Sequence, residues 1–414
     1  MKPLRMAVLG AGPVGLEAAL YARALGHEVS VFEKGKIAEN LGSWGHVTLF
    51  SPWEMNHTPL GRRVLEQSGT DSFPRPEDLL TGAEHVRTYL RPLAASRALS
   101  GRILEQHRVI SVGREHYLKG EAIGSPERLE SPFRILVEAP AGEKIFPADR
   151  VLDTTGTYGN PNWMGAGGIA APGERAARKR ISYQLDDPAA RDRERYRGKR
   201  TLLVGGGYSA ATSALAFERL AKEDPGTVLL WATRDERSRP FDPHPGDPLP
   251  GRSALIEDAN RLASQGSSTI RRLPGRQVDS IELLPDGALR VALRSSEGLE
   301  THTVERILAN VGYQPERSLY TELQIHECYA SFGPMKLAAA LLEGSSRDCL
   351  EQTGHGAETL LNPEPGFLIL GSKSYGRGSN FLLRIGFEQV RDAFRIIQRD
   401  PSLDLYASPP ATLA

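Results

Sequence analysis

Met6-Ala7-Val8-Leu9-Gly10-Ala11-Gly12-Pro13-Val14-Gly15 is the stretch whose reading decides the fold. Its four leading apolar residues form a short buried strand, and Val14 to Leu25 continues with the periodicity of a helix. A strand, a glycine turn and a helix in that order open an α/β sheet of the doubly wound kind. Gly10 permits the tight turn, Gly12 lets a pyrophosphate approach bare backbone, and Gly15 lets helix and strand pack closely. The phosphates would then meet the helix N-terminus at Pro13.

A glycine turn alone is weak evidence, because such turns arise by chance. Here Ala19 and Gly26 fall where the helix must stay thin, and a second strand, Val29-Ser30-Val31-Phe32, ends in Glu33. That carboxylate can accept both hydrogen bonds of an adenosine ribose diol and would repel a ribose 2′-phosphate. The first dinucleotide is therefore unphosphorylated, FAD or NAD. The competing reading is a doubly wound domain with an empty turn.

A chain of 414 residues has room for two or three domains. Lys plus Arg and Asp plus Glu stand at 51 each, which points away from nucleic acid and from acidic membrane surfaces and towards a small-molecule substrate. Lys2 and Arg5 before an apolar stretch imitate a signal peptide, but Glu17 and Arg23 interrupt it. No apolar run approaches the roughly 20 residues of a membrane span. Cys328 and Cys349, without a CxxC pair, argue against a disulfide-stapled secreted fold, so the chain reads as cytoplasmic. No metal is expected.

Between Leu41 and His57 the periodicity breaks, with Trp44, His46, Phe50, Ser51, Trp53 and Asn56 close together. These residues either line a pocket for a flat ligand or fill core beneath a loop. Gly82 to Leu99 reads as a helix, and Arg108–Val112 with Phe133–Val137 as strands of a small antiparallel sheet. Asp153-Thr154-Thr155-Gly156 ends a buried strand at small residues, so Gly156 lies against a cofactor or marks a hinge. Gly173 to Arg197, poor in apolar residues, reads as a surface loop or mobile lid.

A second nucleotide signature begins at Thr201-Leu202-Leu203-Val204 and runs through Gly205-Gly206-Gly207-Tyr208-Ser209-Ala210, with Ala210 in the third glycine's place. The following strand, Thr227–Ala232, ends without an acid and enters Thr233-Arg234-Asp235-Glu236-Arg237-Ser238-Arg239. Arg234, Arg237 or Arg239 could pair with a 2′-phosphate, which makes this half a site for NADPH, unless the arginines form a solvated loop. The proline-rich Pro240 to Arg252 could gate it. Later, Arg306–Pro315 repeats the pattern of the Gly156 strand, Gly366–Gly371 is another buried strand, and Ser379-Asn380-Phe381-Leu382-Leu383 starts a helix reaching about Ile397. Its N-terminus could stabilise negative charge on a reduced flavin.

Taken together, the Gly10 fingerprint with Glu33, the Asp153–Gly156 strand end, the Gly205 fingerprint, Asn310-Val311-Gly312-Tyr313 and the Gly371 strand resemble the flavoproteins with two dinucleotide-binding domains. The resemblance implies an FAD-binding Rossmann-like domain with an NAD(P)-binding one inserted: residues 1–160 and 310–414 for FAD, and 161–309 for NADPH. It assigns Gly10, Gly12, Pro13, Gly15, Glu33, Gly156, Gly371, Asn380 and Phe381 to FAD, and Gly205, Gly207, Tyr208, Ser209, Ala210 and Arg234 to NADPH.

Gly42-Ser43-Trp44 is similar to the Gly-Gly-x-Trp loop of class B flavin monooxygenases, with Ser43 in place of a glycine. That likeness implies a monooxygenase in which reduced flavin binds molecular oxygen as a C4a-peroxide; the aromatic loop Trp44 to Trp53 would wall such a site, which makes Trp44, with His46, Ser51 and Asn56 as the nearest polar side chains, the candidate catalytic residues. Against the disulfide-reductase branch stand the missing CxxC, Val14 in place of a cysteine in the first glycine loop, and Ser372 in place of an aspartate after Gly371. The alternative is a reductase or dehydrogenase passing electrons to a quinone, thiol or protein, and a further one a redox-sensing flavoprotein without turnover. Cys328, with His326 lowering its pKa, is either a single redox thiol or a buried structural cysteine. A homodimer is one expectation for the assembly.

Overall fold

Short apolar strands alternating with glycine turns build two parallel five-stranded sheets from one chain. The computed structural model describes residues 2–244, 246–247, 249–343 and 355–410. They divide into two units: Met1–Gly45, Ser51–Asn160 and Gln314–Ala414 form the first, His46–Phe50 and Pro161–Tyr313 the second. Residues 310–313, assigned from the sequence to the returning segment, cluster with the second unit. The reason is local bonding: Tyr313 Oη donates to the Tyr183 carbonyl at 2.8 Å and Ser213 Oγ to Asn310 Oδ1 at 2.8 Å.

In the first unit β1 (Arg5–Leu9), β2 (Glu28–Phe32), β3 (Ile103–Leu104), β7 (Arg150–Asp153) and β16 (Phe367–Ile369) lie in the order β16-β7-β1-β2-β3. Met6 to Leu9 are all buried, as strands covered on both faces require. An antiparallel sheet of β4 (Arg108–Arg114), β5 (Phe133–Ala139) and β6 (Gly142–Ala148) precedes β7.

The second unit repeats the plan. Its strands β8 (Ile181–Ser182), β9 (Arg200–Val204), β10 (Val228–Thr233), β11 (Ile270–Pro274) and β15 (Arg306–Ala309) are ordered β11-β10-β9-β15-β8. An antiparallel sheet of β12 (Gln277–Leu283), β13 (Leu289–Ser295) and β14 (Gly298–Val304) precedes β15. In both units a central strand leads through glycines into a long helix, Pro13–Ala24 or Tyr208–Glu223.

Two readings of the sequence need correction. The helix from Gly82 ends at Ala95 and contains a π-helical turn, Val86–Leu90, just before Pro92, which has no N–H to continue the ladder. Gly173 to Arg197 is no exposed lid. Glu174 is fully buried and accepts hydrogen bonds from Met164 N, Ala171 N and Tyr183 Oη, while Asp186 holds Ser182, Arg195 and Tyr196. Composition records polarity and not pairing, so polar residues that satisfy one another have the same composition as solvated ones. Among the described residues no helix is long and apolar enough to cross a membrane.

Candidate functional site

The first glycine turn separates glycines that serve the fold from one that leaves space. Gly10 has φ 97° and its N–H bonds the Phe32 carbonyl at 2.8 Å; a Cβ there would lie 2.9 Å from the Thr154 carbonyl oxygen. A Cβ on Gly15 would lie 2.0 Å from the Gly10 carbonyl oxygen, so helix and turn touch through bare backbone. At Gly12 an added Cβ would meet nothing within 4 Å. Gly12 is the N-cap of the helix Pro13–Ala24, whose first turn has no side-chain cap and no acid. Backbone N–H groups at such a terminus need an acceptor, and the bare cradle fits a dinucleotide pyrophosphate. Glu33 follows β2 directly; its Oε2 accepts Ala11 N at 2.8 Å and its Oε1 accepts Gly35 N at 2.9 Å. Each oxygen keeps a further lone pair for a ribose hydroxyl.

Two more turns lie at the C-terminal ends of neighbouring strands. Gly156, with φ 67°, follows β7, and Gly371, with φ 73°, follows β16 and donates its N–H to Gln389 Oε1 at 2.8 Å. A Cβ on Gly156 would sit 3.4 Å from Ser372 Oγ. The last helix begins at Leu383, so Asn380 and Phe381 precede it and are not its first turn; the Phe381 ring packs edge-on to Tyr375 at 5.5 Å. Trp44 packs against Gly82 and lies 6.1 Å from the ring of Tyr158, two residues beyond Gly156. Its Nε1 is buried and has no hydrogen-bond partner.

Other residues of the aromatic loop are engaged with one another or with the core. Ser51 Oγ donates to Asn56 Oδ1 at 2.9 Å, and Asn56 Nδ2 donates to the Ser51 and Pro52 carbonyls, so each buried side chain satisfies the other. Trp53 is a core residue, stacked on His57 at 4.5 Å and edge-on to Tyr89 at 5.5 Å. His46 belongs to the second unit, where burial depresses its basicity and both ring nitrogens lack partners. The expected constellation Trp44, His46, Ser51, Asn56 is therefore not assembled by packing within one unit. Cys328 is buried, and hydrogen bonds from Ser331 and from the Ala330 backbone, not His326, hold its thiol below the ordinary value. Cys349 lies outside the described residues.

In the second unit a Cβ on Gly205 would strike the Asn310 carbonyl oxygen at 2.3 Å, while Gly206 and Gly207 open onto free space. Ala210 is fully buried, 3.3 Å from that Gly205 Cβ position, which accounts for a small residue there. The helix Tyr208–Glu223 again has no side-chain cap, and Tyr208 and Ser209 stand exposed in its first turn. Tyr208 Oη meets His244 Nε2 of the proline-rich loop at 3.2 Å.

Strand register puts Thr233, and not Arg234, in the place Glu33 holds in the first unit, since Gly10 N bonds Phe32 O and Gly205 N bonds Ala232 O. The next residue, Arg234, is exposed, with no ion pair among the described residues. Arg237 is engaged by Asp235 and Asp242, both at 2.6 Å, and so is removed from the anion-reading set.

Residues 4–326 match the family described as pyridine nucleotide-disulphide oxidoreductase. The chain belongs to that family. Its members are two-domain flavoproteins dependent on FAD and NAD(P), and the matched span includes both glycine turns. Among solved structures, the bacillithiol disulfide reductase of Bacillus cereus is similar over 96% of this chain and 100% of its own, with a TM-score of 0.68 and 20% identity. The ornithine N-hydroxylase of Kutzneria sp. 744 covers 97% and 100%, at 0.62 and 16%. The cadaverine monooxygenase of Erwinia amylovora covers 100% and 99%, at 0.65 and 13%. At such identities the likeness is one of fold. No curated protein matches the sequence.

One residue beside these turns escaped the sequence reading. Lys373 is fully buried and its Nζ bonds Asp153 Oδ2 at 2.6 Å and Thr155 Oγ1 at 3.0 Å. The available signal was Asp153 itself, an acid closing an apolar strand, since a buried charge requires a partner.

Proposed function

We propose that this oxidoreductase is an NADPH-dependent, FAD-containing monooxygenase acting on a small molecule. The observation that carries the reading is Val14. Its methyl groups fill the space between Gly371 and Gly386, so the first glycine turn offers no thiol for a disulfide relay. FAD, when bound, supplies hydride acceptance from NADPH and electron transfer to oxygen. Gly12 and the helix N-terminus behind it would hold the pyrophosphate, Glu33 the adenosine ribose, and the Gly156 and Gly371 turns the flavin end. Trp44 with Tyr158 would exclude water there.

The test is rapid mixing of NADPH-reduced protein with oxygen. The expected result is a transient absorbing species distinct from both reduced and oxidised flavin, shorter-lived in Trp44→Ala, with reducing equivalents diverted to hydrogen peroxide. A second reading, a reductase passing electrons to a quinone or thiol, is favoured by the mutual saturation of Ser51 and Asn56 and the core position of Trp53. Reoxidation by oxygen without a transient, together with fast reoxidation by a quinone or disulfide, would establish it instead.

Nucleotide choice follows from Thr233 and Arg234. A neutral side chain in the place of Glu33 removes the repulsion of a 2′-phosphate, and the adjacent exposed guanidinium can pair with one. Arg234→Ala should weaken NADPH binding by roughly tenfold to a hundredfold, the worth of one charge-assisted hydrogen bond, and leave NADH unchanged. Titration of both nucleotides checks it; equal losses would show that Arg234 does not read the phosphate.

A further inference from the structure

The pair Lys373 and Asp153 spans two turns at the ends of adjacent strands. Asp153 closes β7 and Lys373 lies in the turn Gly371–Tyr375 after β16, and β7 and β16 are hydrogen-bonded neighbours. Both side chains are fully buried. Asp153 Oδ2 accepts Lys373 Nζ, while Oδ1 accepts both the Thr155 N–H at 3.1 Å and the Thr155 hydroxyl at 2.7 Å. Lys373 in turn reaches Thr155 Oγ1, and its ammonium faces the ring of Tyr320 at 5.0 Å. One carboxylate oxygen is thus held from within its own turn and the other by the lysine, which is itself gripped from three sides.

A buried ion pair of this kind adds little stability over an apolar pair of the same volume. What it does impose is geometry and charge. The Asp153–Gly156 backbone and the Gly371–Tyr375 backbone cannot move apart without stranding an ammonium ion in the core.

Resting on the cofactor reading above, in which Gly156 and Gly371 border the flavin end of the site, we infer that Lys373 is a positioning residue for the flavin. It clamps the two flavin-facing turns together through Asp153 and Thr155. It also holds the positive end of a buried ion pair at the position next to Ser372; Asp153 offsets part of that charge, and what remains favours the more negative, reduced state of a nearby group.

The experiment compares the full-length wild type with Lys373→Met and Lys373→Arg, measuring bound flavin per chain and then the flavin midpoint potential by dye equilibration. Lys373→Met should lower the preference for reduced over oxidised flavin by about tenfold, which for a two-electron couple is about 30 mV. Lys373→Arg, keeping the charge, should restore the wild-type potential. Should Lys373→Met fail to fold, Asp153→Asn combined with Lys373→Met removes both charges, strands neither, and is expected to show a smaller fall in the same direction, since the opposing carboxylate is removed with the lysine. Flavin retained at an unmoved midpoint in the uncharged variant, or Lys373→Arg shifted as far as Lys373→Met, overturns the inference alone. A wild type that retains no FAD overturns the cofactor reading and this inference with it.

Discussion

Glu364→Ala is expected to destabilise the first unit by about 3–5 kcal/mol, the usual cost of leaving buried charge without its partner. Glu364 and the two guanidinium groups it serves have no exposed side-chain surface. Its Oε1 accepts Arg114 Nε at 2.8 Å and its Oε2 accepts Arg128 Nη2 at 2.7 Å and Gln324 N at 3.0 Å. Burial works against the ionised form, but Arg128, Gln324 and Arg114 hold the carboxyl below its ordinary range.

The two arginines come from the end of β4 and from the turn Pro126–Leu129, and Glu364 stands shortly before β16. Removing the carboxylate leaves two cations facing each other, one of them 3.6 Å above the Phe133 ring. Denaturant unfolding of the variant reads the loss, and a change below about 1 kcal/mol would show that the triad is dispensable. Replacing all three residues by methionine should recover only part of the loss: no charge is then stranded, but the Ser131, Pro365, Leu118 and Glu121 carbonyls lose their donors.

Glu17→Gln should act in the opposite direction, and only at neutral to alkaline pH. Glu17 is fully buried on the helix behind the first glycine turn, its Oε1 accepting Thr58 Oγ1 at 2.9 Å. Burial pushes its carboxyl from 4.5 up to about 7, against the weaker pull of the Thr58 and Tyr406 hydroxyls. A folded-state value above the unfolded one means a contribution present in full below pH 4.5 and lost as pH rises through about 7.

That difference corresponds to about 3 kcal/mol. Stability of the native chain should therefore fall by about this amount between acid pH and pH 8.5 on account of Glu17 alone. Glu17→Gln, neutral throughout, should lack that fall and exceed the native chain by about 3 kcal/mol at pH 8.5, converging with it near pH 4.5. Denaturant midpoints measured across that range decide it; parallel pH profiles for the two proteins would show that Glu17 ionises without penalty.

The two glycine turns were legible because each glycine answers a local demand. Gly10 needs a positive φ and Gly15 must admit the Gly10 carbonyl, both within six residues of chain, while Gly12 between them leaves open space. The strand endings at Glu33 and Thr233 were legible for the same reason, as was the membership of a two-nucleotide family. The aromatic loop was not. Trp53, Ser51 and Asn56 have the composition of a ligand site, yet Trp53 turns inwards onto His57 and Tyr89 while Ser51 and Asn56 close on each other. Side-chain direction depends on neighbours from residues 57 to 89, and no local pattern encodes it. Arg237 likewise takes a partner, Asp242, from five residues on.

By itself the sequence determined the alternation of strand, glycine turn and helix, its occurrence twice, and the charge at the end of each second strand, since these depend on backbone sterics over a few residues. Tertiary structure alone decided which polar groups are spent on one another. Lys373 meets Asp153 across 220 positions and Arg114 meets Glu364 across 250. The free energy that makes a buried charge acceptable comes from a partner brought in by folding, so such a residue looks the same in sequence whether it will be solvated, structural or poised beside a cofactor.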